Sequence, residues 1–101
     1  MSFNYLGISL KNLVPNPIKG IKYCSTDQLT QAKIAHEDFP FLLDSIKELD
    51  FVEEVSLVST CNRFEIYFFS QEPLSLPQEQ KMRKIISSIS NSNLQLNYLS
   101  E

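Results

Sequence analysis

A chain of 101 residues and 11.6 kDa has room for one domain, and at this size about two-thirds of the unfolded surface can be buried around a core. With 43% hydrophobic and 21% charged residues it is neither disordered nor membrane-like, and a net charge of -3 excludes an overall basic nucleic-acid-binding surface. No apolar run approaches the roughly 18 residues of a membrane span. The opening Met1-Ser2-Phe3-Asn4-Tyr5 lacks a secretion signal's charged-then-apolar pattern, so the two cysteines are expected as free thiols in a reducing cytoplasm.

Alternation of Leu6, Ile8 and Leu10 predicts a first strand over residues 3–10. A breaker-rich loop with Pro15, Pro17 and Gly20 follows. Ser25 and Gln28 form a candidate capping box, opening a helical segment with a thin apolar stripe of Leu29, Ala32 and Ala35. Asp38 and Pro40 are a fresh N-terminal signal, since proline suits the first turn and breaks a helix interior. Phe41, Leu42, Ile46 and Leu49 then carry a stronger stripe, so a broken helical stretch is predicted from about 26 to 49. Val55, Leu57 and Val58 form one β-rich run and Phe64, Ile66, Tyr67, Phe68 and Phe69 another. The polar stretch 59–63 between them is short enough to connect a hairpin.

Residues 70–76 form a loop with Pro73, and Ser75, Pro77 and Gln78 announce a second helix by cap, first-turn proline and capping-box partner. Met82, Ile85, Ile86 and Ile89 fall at i, i+3, i+4 and i+7, a core stripe. Asn91 to Asn93 end this helix, and Leu94, Leu96 and Tyr98 alternate as a last strand. The order βαββαβ predicts an α+β, ferredoxin-like split βαβ fold: one antiparallel sheet covered by two helices.

The hairpin connection holds the candidate chemistry. Thiolate is the reactive form of cysteine, and a free thiol with a pKa of about 8.5 needs a nearby cation or converging N–H groups to be activated at neutral pH. Cys61 has Arg63 two residues on, and if the strand has already begun both project from one face. Thr60 and Asn62 are short polar groups that orient a substrate or hold the turn. The set suits attack on an acyl carbonyl, with Arg63 pairing to a carboxylate. On composition alone a lone hairpin cysteine reads more readily as apolar filler, Asn62 as a turn former and Arg63 as a strand-end charge.

Elsewhere the ordinary readings prevail. His36 belongs on the surface, Cys24 is buried filler, and Lys81, Arg83 and Lys84 form a solvated helix face. Glu53 and Glu54 are adjacent and diverge, so they are no acid–base pair. Two cysteines and one histidine fall short of a four-ligand zinc site, and two glycines make no phosphate loop.

Ser59-Thr60-Cys61-Asn62-Arg63-Phe64-Glu65-Ile66-Tyr67, preceded by Val52-Glu53-Glu54-Val55, resembles the signature of the glutamyl-tRNA reductase N-terminal catalytic domain. Leu6-Gly7-Ile8-Ser9 is similar to the family's opening strand and Gly turn. The resemblance implies that Cys61 is a catalytic nucleophile attacking the ester carbonyl of glutamyl-tRNA. It further implies that NADPH reduces the resulting thioester to glutamate-1-semialdehyde, the entry to tetrapyrrole synthesis. Thr60, Cys61, Asn62 and Arg63 match the substrate-binding positions, with Arg63 contacting the glutamyl carboxylate. The family's NADPH-binding domain, its long dimerising helix and its histidine come later in the chain than residue 101. The resemblance therefore implies one domain, 1–101, as a truncated N-terminal piece of a cytoplasmic homodimer whose product passes to glutamate-1-semialdehyde aminomutase.

Leu10 stands where the family usually has a histidine, and its Thr-Ala-Pro segment is not recognisable near Val14 and Pro15. The competing reading is a non-catalytic ferredoxin-like module that binds tRNA or a protein partner.

Overall fold

Strict alternation makes Ser2–Ser9 (β1) a strand with two unlike faces: Asn4, Leu6 and Ile8 are buried on one, while Phe3 and Tyr5 lie on the other. The computed structural model describes residues 1–10, 19–25, 27, 29, 34–90 and 96–101. After β1 come a 3-10 turn at His36–Asp38, helix Phe39–Lys47 (α1), strands Glu54–Ser59 (β2) and Arg63–Ser70 (β3), helix Leu76–Ser90 (α2) and strand Asn97–Ser100 (β4). The sheet order is β2-β3-β1-β4 with every neighbouring pair antiparallel. This is the α+β arrangement expected of the sequence, with the first and third strands at the centre.

Both helices pack on one side of the sheet. Leu42 and Ile46 of α1 and Met82 and Ile86 of α2 close over Leu6, Ile8, Phe64, Ile66 and Phe68. The capping box at 75 and 78 forms reciprocally: Gln78 N–H donates to Ser75 Oγ (3.4 Å) and Ser75 N–H to Gln78 Oε1 (2.9 Å). Asp38 behaves differently. It occupies the N-cap of α1 in a helical rather than extended conformation and its side chain caps nothing; its N–H closes the 3-10 turn onto the Ala35 carbonyl (2.9 Å), and Pro40 stands in the first turn as the sequence predicts.

In the earlier half of the predicted helical stretch, Asp27 and Leu29 are helical and Leu29 N–H donates to the Ser25 carbonyl at 3.0 Å. Pro15, Pro17, Gln28, Ala32, Asn91–Asn93 and Leu94, on which the sequence reading also leaned, lie outside the described residues. Arg83 departs from the solvated face assigned to it. It is half-buried, donates to the Leu96 carbonyl and lies 3.5 Å from Glu79, so it straps α2 to the segment leading into β4, while Lys81 and Lys84 are exposed. No helix among the described residues is long and apolar enough to cross a membrane.

A buried polar group fixes the register at the far end of the sheet. The Asn4 amide donates to Ser70 Oγ (2.8 Å) and accepts from the Tyr98 hydroxyl (2.7 Å), whose oxygen takes the Leu74 N–H (2.9 Å). With Asn4 fully buried, these bonds offset its desolvation and tie three strands to the loop before α2.

The other constraint is at Gly7, paired with Glu65. A Cβ there would stand 2.7 Å from the Phe64 carbonyl oxygen and 2.9 Å from Glu65 Cα, both backbone atoms with nowhere to move. Gly7→Ala is expected to cost about 1–3 kcal/mol by overpacking, lowering Tm by roughly 4–8 °C per kcal/mol for a domain of this size. Circular dichroism melts of the two proteins measure it, and an unchanged Tm would show that β1 and β3 are not held this closely.

Candidate functional site

Hairpin geometry places the chemistry. The connection between β2 and β3 is Thr60, Cys61 and Asn62, and Thr60 N–H donates to the Arg63 carbonyl (2.9 Å), which leaves Cys61 and Asn62 at its tip. Asn62 N–H bonds back to Thr60 Oγ1 (3.1 Å), and the Asn62 carbonyl accepts Leu10 N–H (3.1 Å) from the end of β1. The tip is thereby braced from its own strand and from the neighbouring one. Cys61 is exposed, and its thiol donates to Asn62 Oδ1 at 3.4 Å. Because β3 begins only at Arg63, strand alternation does not align Cys61 with Arg63; the thiol bonds Asn62 while the guanidinium lies beside Glu65.

The second thiol is a different object. Cys24 bridges Leu10 in parallel fashion, its N–H on the Ser9 carbonyl (3.2 Å) and its sulfur 3.7 Å from the same oxygen. It is buried, and burial pushes its thiol pKa up. His36 is exposed with its ring tilted against Phe39 at 4.7 Å. Among the described residues no group of three His, Cys, Asp or Glu side chains could hold a metal ion.

Arg63 opens β3 on the face that the helices leave uncovered. Its guanidinium lies 3.5 Å from the Glu65 carboxylate, with the Arg63 side chain 55% exposed and the Glu65 side chain 10% exposed. Tyr5 and Tyr67, paired across β1 and β3 with rings 5.5 Å apart, lie on the same face as Glu65. Both phenol pKa values are pushed above the usual tyrosine range, chiefly by burial and then by the neighbouring carboxylate charge.

Sequence reasoning singled out Thr60, Cys61, Asn62 and Arg63, and all four are gathered at the tip. It missed Glu65 and the two tyrosines. The i, i+2, i+4 spacing of Arg63, Glu65 and Tyr67 was a signal for one strand face. Burial of the carboxylate depends on Tyr5 and Gly7 from β1, and that register is not written in β3. A cavity of about 460 Å³ lined by Asp50, Glu53, Gln71 and Glu72 sits at the opposite end of β3 and does not include the thiol.

The sequence model described as glutamyl-tRNA(Glu) reductase, N-terminal domain, matches residues 20–100. The chain is similar to a glutamyl-tRNA reductase of Xanthomonas campestris pv. campestris (strain B100), with 40% identity over 50 residues. That alignment spans 50% of this chain and 12% of the relative's length.

The two thiols differ enough in exposure to be told apart. A disulfide reagent such as DTNB is expected to modify Cys61 in the native chain and Cys24 only after unfolding, with Cys61→Ser removing the fast phase. Native reaction at Cys24 first would remove the case for Cys61. The phenols set an alkaline limit. Unfolded tyrosine titrates near pH 10, and a raised folded pKa means that the unfolded state loses its proton first. Their contribution to stability is therefore whole below about pH 10 and lost as pH rises past it. Urea unfolding across this range checks it, with Tyr5→Phe expected to flatten the decline.

Proposed function

The chain belongs to the glutamyl-tRNA reductase N-terminal domain family, and on that footing we propose that Cys61 is the nucleophile of an acyl transfer from glutamyl-tRNA. The observation that supports this most directly is an exposed thiol on a braced three-residue hairpin connection, hydrogen-bonded to Asn62 and close in sequence to a half-exposed guanidinium. The thiolate attacks the carbonyl carbon of the ester joining the glutamyl group to the tRNA. The ester C–O bond then breaks, the tRNA leaves as an alcohol after taking up a proton, and a glutamyl thioester remains on Cys61.

Each neighbour has a part in this step. In the resting thiol Asn62 Oδ1 orients the sulfur by accepting its S–H hydrogen bond; the proton the sulfur gives up on attack balances the one the departing tRNA hydroxyl takes up. Thr60 holds the turn through Oγ1, which leaves its hydroxyl proton to donate to a ligand oxygen. Arg63 pairs its planar guanidinium with the substrate side-chain carboxylate.

In the whole enzyme the family function is reduction of that thioester with NADPH to glutamate-1-semialdehyde, feeding tetrapyrrole synthesis and glutamate-1-semialdehyde aminomutase. The described residues do not fit NADPH. Gly7 lies within a strand and Gly20 in a turn at φ 88°, and neither opens a helix over a pyrophosphate. No reduction step is built on them, and dimerisation and a cytoplasmic setting likewise belong to the proposal for the whole protein.

One observation favours the non-catalytic reading: Leu10, at the family's histidine position, is only 8% exposed and offers the tip no side-chain polar group. Incubation with labelled glutamyl-tRNA decides between the two. A glutamyl adduct on Cys61 is expected by mass spectrometry and is lost in Cys61→Ser. Arg63→Lys is expected to slow its formation roughly ten- to a hundredfold, the scale of one charge-assisted pair at about 1.5–3 kcal/mol. No adduct on the native protein would leave only the binding module.

A further inference from the structure

We propose that the outer edge of β2 pairs antiparallel with the same edge of a second copy of this chain, in the register that sets Leu57 opposite Leu57 across a two-fold axis. The surface is distinct from the hairpin chemistry and does not depend on Cys61 being a nucleophile.

β2 is the outermost strand on its side of the sheet, with β3 as its one neighbour. Thr60 N–H donates to the Arg63 carbonyl, and that pair continues the register of Val58 with Glu65 and Ser59 with Phe64. Hydrogen-bonded pairs alternate along an antiparallel ladder. The backbone groups of Glu54, Ser56 and Val58 therefore face β3, and those of Val55, Leu57 and Ser59 face away. The entry to the strand has the same phase: Glu53 N–H also reaches the Phe69 carbonyl, opposite which Glu54 stands, as in a bulge. Among the described residues no hydrogen bond meets the outward groups of Val55, Leu57 and Ser59.

The opposite edge is guarded. β4 has only four residues, and at its start the Asn97 side chain holds Lys22, donating to its carbonyl (2.8 Å) and accepting its N–H (3.0 Å). Short strands and covering segments are common guards of a sheet edge, as are lysine or proline within it. β2 has six residues with no lysine, proline or glycine, and its single charge, Glu54, stands at one end.

The register singles out a second copy as the occupant. Only outward residues can exchange bonds across the seam, and Leu57 opposite Leu57 matches all of them, with Val55 meeting Ser59 on either side of the axis. An axis at Ser56 would set Ser59 against Glu53, whose N–H is already given to Phe69. An axis at Val55 would bring the two Glu54 carboxylates within two positions of each other. In the Leu57 register they stand six positions apart, about 20 Å at the rise of a strand and beyond a Debye length of about 8–10 Å. Each then lies opposite an uncharged Thr60. On the helix side of the sheet, Val55 and Leu57 are partly buried against the core, so leucine on leucine extends both cores across the seam. On the other side Ser56 of one copy covers Val58 of the other, which is 37% exposed in the single chain. An unrelated extended peptide would satisfy the backbone but would supply neither match. Pairing through one edge on both copies also closes on itself, so no filament follows.

Six-residue strands bury little area, so the dimer is weak and its population follows concentration. Hydrogen exchange at the amides of Val55, Leu57 and Ser59 is expected to slow about tenfold between roughly 20 µM and roughly 1 mM chain, followed residue by residue by NMR. The amides of Glu54, Ser56 and Val58, already bonded to β3, should change little. Light scattering over the same range should show the mass rising from 11.6 kDa toward twice that value. Cross-linking then tests the register. Ser56→Cys and Val58→Cys, each made with Cys61→Ser, are opposed across the seam, so an oxidised mixture of the two is expected to give about five times more disulfide dimer than either alone.

A chain that stays monomeric at roughly 1 mM overturns the proposal, by the mass action that must populate even a weak dimer. So does a dimer whose outward amides exchange as fast as in dilute solution, since its interface lies elsewhere. Protection that appears only on adding an unrelated extended peptide gives the edge to a different strand and overturns the second copy. Equal cross-linking of the mixture and of the single variants overturns the Leu57 register.

Discussion

Two backbones meet at Gly7 with no side chain between them, and much of the molecule follows from that contact. The central strands β1 and β3 approach until a Cβ would stand 2.7 Å from the Phe64 carbonyl. Register between the two strands is then pinned over eight residue pairs, from Ser2 with Ser70 to Ser9 with Arg63. A slip of one residue would turn Leu6 and Ile8 out of the core and bring Tyr5 into it. The same close approach leaves a recess on the uncovered face, where Tyr5 and Glu65 meet. One glycine thus serves the packing of the sheet and the electrostatics of the hairpin tip.

The tip inherits rigidity from that sheet. Thr60, Cys61 and Asn62 are the whole connection between β2 and β3, and the Asn62 carbonyl is tied to Leu10 at the end of β1. A side chain on a longer loop would have to be ordered at each encounter with a ligand. On a three-residue connection braced from a third strand, little freedom remains to lose. The hydroxyl of Thr60 and the amide of Asn62 are engaged locally, so the side chains that shape the turn also orient the thiol. Cys24 is the contrast: bridged to the end of β1, buried, with its thiol against the Ser9 carbonyl.

What could be read in advance divides along the range of the interactions. Ser75 and Gln78 cap a helix through bonds three residues apart, and both bonds are present, because a local motif needs no knowledge of the rest of the chain. The alternation of β1 and β3 and the i, i+3, i+4 stripe of α2 were legible for the same reason. Asp38 and Pro40 marked the right place through the proline, which stands in the first turn of α1; the Asp38 side chain adds no cap, since its backbone is helical rather than extended. Arg83 looked solvated because its partner, the Leu96 carbonyl, lies 13 residues away on the approach to another strand. The burial of Glu65 was not legible in its own strand, because it is paired with Gly7, nearly sixty residues earlier. The four residues of the tip were found through their contiguity.

Charge distribution completes the account of what the tip is suited to recognise. The chain carries a net charge of -3, and the exposed lysines of α2 lie on the helix layer, across the sheet from the face that bears Arg63. On that face Glu65 compensates Arg63, so at distances beyond the Debye length, about 8–10 Å at ordinary salt, the pair exerts little pull on a polyanion. Binding through counterion release needs several uncompensated cations in reach of phosphates, and the pair does not supply them. Long-range capture of a polyanion is therefore not what the charges on this face of the sheet provide.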